Sequence, residues 1–456
     1  VSSDDQLREK APLEKPAEKL LAPLSQFVRS QAASGILLAI AVVLAMVMAN
    51  NGFHELYETI KHLHFSISLG STAVDMSLKH WVNDGLMVLF FFLLGLEIKR
   101  ELIAGELRDV RKSSLVFFMA AGGMILPALV YLAVNGVTDA GAARGWGIPM
   151  ATDTAFALGI LAAMGSRVPR VAIVLLSALA ILDDIGAVMV ISLFYTDEVL
   201  LAPLFRAVFV LFLLLVLNLS GFRRPLPYGL LGVALWWFVL QSGVHATTAG
   251  ILAAMAVPAR PYGSTTWFLE KMEDIVKRFR KTHDPDQSVL EKDEHEELAE
   301  EARKVARATL TPLQRWERAM DIPVSLLIVP LFAFLNAGVL LPDDIGYLFT
   351  APVPLAAALG LTVGKAVGIS AFAWLGLKLG VARMPEELVF GHLVGLAFLA
   401  GIGFTMSLFV NSLAFEDAVS LQEDAKLGIL MGSLTAAILG TSILLWLHRR
   451  GDSNDD

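Results

Sequence analysis

The sequence predicts an all-α polytopic membrane protein of about twelve transmembrane helices, and three observations carry that expectation. Of its 456 residues, 55% are hydrophobic, and the mean hydropathy of +0.63 is too high for a soluble domain of this size. The apolar residues come in repeated runs of about 18–25, the length a helix needs to cross the hydrocarbon core; barrel strands would alternate instead. The short loops between these runs also alternate in charge.

In order, the spans fall at Ala32–Asn50, Trp81–Ile98, Ser114–Val134, Ile148–Met164, Val168–Tyr195, Leu200–Leu219, Leu226–Gln241 and His245–Val257, then Ile322–Leu341, Pro352–Gly376, Leu388–Ser412 and Lys426–Leu447. One set of loops carries Lys99, Arg100, Arg108, Arg111, Lys112, Arg167, Arg170, Arg223, Arg224, Lys378 and Arg383, with Arg449 and Arg450 after the last span. The other set holds only Lys61, Lys79 and Arg144 against Asp197, Glu198, Asp343, Asp344, Glu416 and Asp417. The positive-inside rule then puts both termini in the cytoplasm, in agreement with an even number of spans.

The expected organisation is a cytoplasmic tail over 1–30, spans one to eight over 31–260, a charged cytoplasmic insert over 261–318, spans nine to twelve over 319–448, and a tail over 449–456. Residues 1–30 lack the apolar core of a cleavable signal peptide. The external loop 64–78 alternates Phe65, Ile67 and Leu69 with polar residues and resumes with Val74, Met76 and Leu78 after Gly70-Ser71-Thr72. That pattern fits a β-hairpin in want of a partner such as a second protomer, or an irregular loop. Interspersed charges at helical spacing make the insert a pair of solvated helices, with a regulatory element as the other reading.

Cysteine is absent, which excludes disulfides, thiolate metal sites and cysteine nucleophiles. The net charge of −8 says little about partners; the lipid bilayer is expected among them and nucleic acid is not.

Four constellations inside the spans carry the chemistry. Asp183 and Asp184 lie roughly 20 Å from either end of the fifth span. A carboxylate at that depth costs about 2.5–3.5 kcal/mol on insertion scales and usually marks an ion pathway or proton relay. Successive residues point about 100° apart, so the two carboxylates meet different surroundings. They offer the hard oxygens a small cation prefers; a buried polar network that binds nothing is the alternative.

In the fourth span Gly147 and Pro149 disfavour a regular helix ahead of Thr152, Asp153 and Thr154. A broken helix there would expose backbone ends for Asp153 to neutralise, with Thr152 as a neutral oxygen ligand; a helix start near the interface is the other reading. Lys365 is too central in the tenth span to reach the interface comfortably, so it should pair with Asp183 or Asp184 or face helix C-termini, unless the helix is tilted. Gly391, Gly395, Gly401 and Gly403 either permit close packing in the eleventh span or break it. A break at Gly401-Ile402-Gly403 would mirror the fourth span, making spans 3–5 and 10–12 inverted repeats whose broken helices cross at mid-membrane.

The motifs FFLLGLEIKREL (Phe91–Leu102), GGMILPALVY (Gly122–Tyr131), ATDTAFALG (Ala151–Gly159), LAILDDIGA (Leu179–Ala187), SGVHATTAG (Ser242–Gly250), PLFAFLNAGV (Pro330–Val339) and GKAVGI (Gly364–Ile369) occur in this order. Together they resemble the bacterial NhaA-type sodium/proton antiporters across nearly the whole chain. The resemblance implies a pH-regulated, electrogenic exchange of cytoplasmic Na+ or Li+ for external H+ in the bacterial inner membrane. It implies no cofactor and no enzyme activity, and a homodimer. It matches Asp183 and Asp184 to the ion- and proton-binding pair and Thr152 to a further ligand of the transported ion. Asp153 and Lys365 match residues that compensate half-helix dipoles, Lys365 also pairing with the first aspartate. Glu97, Arg100, Glu101, His245 and Glu317 match positions of pH response. Without the family, Glu97, Arg100 and Glu101 are equally a capped helix end, and His245 a satisfied interfacial histidine. The long insert and Ala366, where many relatives carry proline, depart from the pattern.

Two other functions use similar groups. An intramembrane aspartyl protease would place its two aspartates on different helices, leaving room for substrate between them. A retinal pump would use Lys365 as a Schiff base, but no aromatic pocket surrounds it in the sequence.

Overall fold

The computed structural model describes residues 31–69, 72–109, 113–135, 140–196, 199–261, 263–282, 293–344 and 346–452. The tail expected over 1–30, Gly70, Ser71, Arg111, Lys112, Asp197, Glu198, residues 283–292 of the insert and the last four residues lie outside them. The described chain is helical apart from one two-stranded sheet. Its longer elements are α1 (Gln31–Asn50), α2 (His54–Lys61), β1 (His64–Leu69), β2 (Thr72–Ser77), α3 (Met87–Ala104), α4 (Ser114–Asn135), α5 (Thr154–Met164), α6 (Arg170–Phe194), α7 (Leu201–Leu219), α8 (Pro225–Gln241) and α9 (Thr248–Ala256). They continue with α10 (Thr265–Thr282), α11 (Asp293–Thr309), α12 (Pro312–Pro323), α13 (Val329–Ala337), α14 (Pro352–Leu359), α15 (Lys365–Lys378), α16 (Phe390–Ala400), α17 (Phe404–Ala414) and α18 (Val419–Asp452). Wide π turns precede α3 and join α12 to α13 and α14 to α15.

Among the described residues, eight helices are long and apolar enough to cross a membrane, and the bent pair α16–α17 makes a ninth. The other expected spans fall short for local reasons. The second ends in the charged run Glu97–Glu101, the seventh has 17 helical residues and the eighth only 9. Conversely, the ninth and twelfth begin earlier than hydropathy suggests, at Pro312 and Val419. Thr311 and Gln314 explain the first of these, since they form a capping box: Gln314 N donates to Thr311 Oγ1 at 3.1 Å and Thr311 N to Gln314 Oε1 at 3.3 Å. Outward faces carry large apolar side chains, Phe205, Phe209 and Phe212 of α7 being 72%, 59% and 58% exposed. In water such a surface would aggregate; in lipid it is solvated.

The chain divides into two compact units. The first comprises Val1–Met87, Glu106–Asp197 and Ile322–Asp456. Small residues set its packing. A Cβ on Gly364 would lie 2.8 Å from Pro127 Cα, and Gly122 and Gly368 face each other with no room for a side chain, so α15 is pressed onto α4. Likewise a Cβ on Gly428 or Gly432 would come within 2.7 or 2.9 Å of backbone in α14.

β1 and β2 pair antiparallel, Ile67 opposite Val74. Near their base, Lys79 donates to Gln422 Oε1 at 3.4 Å, while Lys61 and Lys426 are held by Glu58 and Glu423 at 2.6 and 2.5 Å. Burial first, then Lys426 and Lys61, push the Lys79 ammonium down from 10.5 to about 8. The unfolded chain therefore keeps this proton between about pH 8 and 10.5 while the folded one releases it. The penalty is full below about pH 8 and fades as pH rises. Lys79→Met should accordingly raise the melting temperature at pH 7, with a smaller gain at pH 10. A gain that grows with pH would refute this.

The second unit comprises Val88–Gly105 and Glu198–Asp321. Leu214, Leu235, Val239 and Ala256 build a core between α7, α8 and α9. Gly95 lets α3 against α9, where its Cβ would be 2.7 Å from Ala254 Cβ. The insert is more than two solvated helices. Ile275 of α10 and Leu298 and Val305 of α11 are buried in an apolar seam with Met272 and Phe279, and Arg278 bridges to Glu301 at 2.7 Å.

Candidate ion-binding site

The site forms where two interrupted helices meet. Arg144–Met150 is a 3₁₀ segment containing Pro149, and Ala151–Asp153 follow without regular structure before α5 begins. The second interruption is Gly401–Gly403, between α16 and α17, whose axes differ by 46°. Asp153 N donates to Ile402 O at 2.6 Å, so the two breaks satisfy each other's backbone where water is absent. Ser407 Oγ reinforces the junction by donating to Ile148 O at 2.7 Å.

Asp153 is the hub of the junction. It caps α5, with Oδ1 accepting from Phe156 N at 3.0 Å. Its Oδ2 accepts from Thr405 N at 3.1 Å and Thr405 Oγ1 at 2.6 Å, in the first turn of α17. One carboxylate thus serves the amide-rich, partially positive ends of two helices.

Uninterrupted α6 brings Asp183 and Asp184 to the same place, 0% and 3% exposed. Lys365, the first residue of α15 after the π turn Gly360–Gly364, is 0% exposed and pairs with Asp183 Oδ2. The Lys365 ammonium also donates to Thr152 Oγ1 at 2.6 Å. The Thr152 hydroxyl lies 2.7 Å from Asp183 Oδ2 and 2.8 Å from the Ala400 carbonyl at the end of α16, and its single proton can go to either. Among the described residues, buried Asp183 Oδ1 has no hydrogen-bond partner. Asp184 Oδ2 lies 3.5 Å from Thr154 Oγ1. Asp183, Asp184, Thr152 and the Ala400 carbonyl together present hard oxygens of the kind a small alkali cation takes.

All five intramembrane residues singled out in the sequence therefore lie at or beside one junction, and Lys365 takes Asp183 rather than Asp184. The sequence reading missed Thr405 and Ala400. Thr405 was accessible by analogy, being a hydroxyl residue just after a glycine break as Thr154 follows the other; the Ala400 carbonyl carries no side-chain signal.

Of the five pH-response candidates, the structure groups four. Arg100 contacts Glu101 at 3.2 Å and Glu317 at 3.3 Å. Glu97 feels the charges of Glu317, Arg100, Asp321 and Glu101. Glu317, expected in the insert just before the ninth span, sits inside α12. Asp321, one turn further along α12, joins the group; its i,i+4 spacing from Glu317 was the available sign. His245 is separate. It precedes α9, whose other end is capped by Lys99 donating to Met255 O at 2.6 Å and Val257 O at 2.5 Å. The 9 residues of α9 put about 13 Å between these levels.

Interrupted helices joined through a carboxylate, beside a buried Asp–Lys pair, define a membrane ion transporter. The family model described as Na+/H+ antiporter 1 matches residues 25–444. The chain is 54% identical to Na(+)/H(+) antiporter NhaA 1 of Pseudoalteromonas atlantica over 98% of its own length and 94% of that protein's. It is 42% identical to NhaA 1 of Saccharophagus degradans (96% and 94% covered) and 45% identical to NhaA of Bordetella parapertussis (92% and 96%). The chain belongs to the NhaA-type Na+/H+ antiporter family, a family of multi-pass membrane transporters.

Proposed function

We propose that the protein extrudes cytoplasmic Na+ or Li+ in electrogenic exchange for external H+, with the ion and protons competing for Asp183 and Asp184. The observation that supports this best is the setting of Asp183: Oδ2 meets Lys365 and Thr152, while Oδ1 is buried and, among the described residues, accepts from no donor. A buried anionic oxygen without a donor is costly unless a proton or a cation takes it. Thr152 adds a neutral ligand, and Asp184, one residue on, supplies the second carboxylate.

In this reading protonation at acid pH excludes the metal ion. As pH rises, Asp184 and then the Asp183–Lys365 pair open to it, the two acids titrating as a coupled set. Asp153 compensates the helix ends it caps, and Lys365 is released when a cation replaces it at Asp183. Loaded and protonated forms then carry the site alternately to the two sides, spans 3–5 and 10–12 acting as inverted repeats. The cluster of Glu97, Arg100, Glu101 and Glu317 tunes the pH response, with His245 acting apart from it. Both termini are cytoplasmic, the membrane is the bacterial inner membrane, and the β1–β2 hairpin pairs protomers into a homodimer, since a lone hairpin is marginal.

The test is sodium-induced collapse of a preset pH gradient in vesicles carrying the purified protein. Asp184→Asn, which preserves shape and removes the charge, should lower the initial rate by at least about 100-fold, the order of loss when a group essential to the reacting state is removed. Full activity in that variant would reject the assignment.

A further inference from the structure

Within the second unit, one cavity of about 260 Å³ is lined by Arg223, Lys304, Arg307 and Arg315, with Leu310 and Pro312 among its walls and no acidic residue. Three separate elements supply the cations. Arg223 lies between α7 and α8, Lys304 and Arg307 lie one turn apart on insert helix α11, and Arg315 is in the first turn of α12. The end of α11 is tied down beside the cavity by Gly263 N donating to Ala308 O at 3.2 Å.

Among the described residues, Lys304, Arg307 and Arg315 make no ion pair, and Arg315 Nε is buried without a hydrogen-bond partner. Glu300 acts on Lys304 and Arg307 along α11, but its carboxylate is held by Arg303 at 2.7 Å. Lys304, Arg307 and Arg315 thus bring three unpaired like charges to one hollow, where they repel, and an anion in it reverses that cost. The cavity is larger than a monatomic ion requires. Three of the cations are guanidinium forks, which match the paired oxygens of a phosphate group.

We propose that this cavity binds a phosphate-bearing anion, either a soluble phosphate compound or a lipid phosphate head group, with Lys304 and Arg307 of the insert supplying half of its cations. The insert is then a ligand-holding element that ties α11 to the start of α12, and its charge has a use beyond solubility.

Two binding measurements on the full-length protein distinguish the sources. In neutral detergent, calorimetric titration with inorganic pyrophosphate reports a soluble ligand. Native mass spectrometry of protein equilibrated with phosphatidylglycerol and phosphatidylcholine reports a retained anionic lipid. Saturable pyrophosphate binding, preferential retention of phosphatidylglycerol, or both, supports the site when Lys304→Gln/Arg307→Gln weakens it by at least about tenfold, as expected for two lost charge-assisted contacts. Both positions are exposed on a solvated helix, so folding is safeguarded. Lys281→Gln, which removes a charge from insert helix α10 outside the cavity and leaves Arg303 on Glu300, should leave binding within about twofold. The proposal is overturned if neither probe binds, if the double variant binds like wild type, or if Lys281→Gln weakens binding as much as the double variant does.

Discussion

Lys365→Met should destabilise the folded protein by about 3–5 kcal/mol while Asp183 stays ionised, the cost of stripping one partner from a fully buried pair. Both side chains are 0% exposed, and among the described residues the ammonium reaches Asp183 and Thr152 alone. Methionine has the volume and flexibility to fill the space, so the loss is electrostatic, not a cavity. The protein's escape is to protonate Asp183, so the deficit should shrink at low pH. Lys365→Met/Asp183→Asn removes both charges and should recover most of the lost stability, a coupling of several kcal/mol in a double-mutant cycle. Thermal unfolding in detergent from pH 5 to pH 8.5 measures it; strictly additive effects would mean that the pair is not a unit. Transport should be lost in both variants, because the proposed exchange uses the carboxylate and its release from lysine.

The second large effect falls on the helix junction. Asp153→Ala strands three donors at the starts of α5 and α17, the part-buried Phe156 N and the buried Thr405 N and Thr405 Oγ1. At about 1–3 kcal/mol for each unsatisfied group, the expected loss is about 3 kcal/mol or more. Asp153→Asn keeps one acceptor oxygen but turns an amide N–H toward backbone N–H groups, so it should fall between alanine and wild type. Thr405→Val removes one hydroxyl and should cost about 1 kcal/mol, with Thr405→Ser close to wild type. Ranked melting temperatures and exchange rates in vesicles check the series. A Thr405→Val loss as large as that of Asp153→Ala would place the weight of the junction elsewhere.

How much of this was legible in the chain depends on what kind of signal each feature leaves. Charges in apolar runs are conspicuous, so Asp183, Asp184, Asp153 and Lys365 stood out without any structure. Pro149 and Gly401-Ile402-Gly403 marked the two breaks for the same reason: they contradict the helix around them. Three-dimensional pairing left no such trace. The residues by themselves leave Lys365 open to Asp183 or Asp184; only the family resemblance pointed to Asp183, where the structure places it. Backbone partners such as the Ala400 carbonyl are invisible in principle.

Helix ends were the least legible. Hydropathy began the ninth span near Ile322, because the first turns of α12 carry Arg315, Glu317 and Arg318; the Thr311–Gln314 capping box was the better guide to a start at Pro312. That shift moved Glu317 from the insert into the helix that leads into the ninth span, where it meets Arg100. In the insert, the mixed charges hid a period of apolar residues, Met272, Ile275 and Phe279 on α10 and Leu298, Ala302 and Val305 on α11, that seals the two helices together.

The central claim is that metal ion and protons exclude each other at one pair of acids, and lithium calorimetry on the purified protein over a series of pH values tests it most directly. The expected result is an affinity that rises with pH, protons released on binding as judged from buffers of different ionisation heat, and no uptake by Asp183→Asn/Asp184→Asn. Lithium binding indifferent to pH, or undiminished in that double variant, would contradict it.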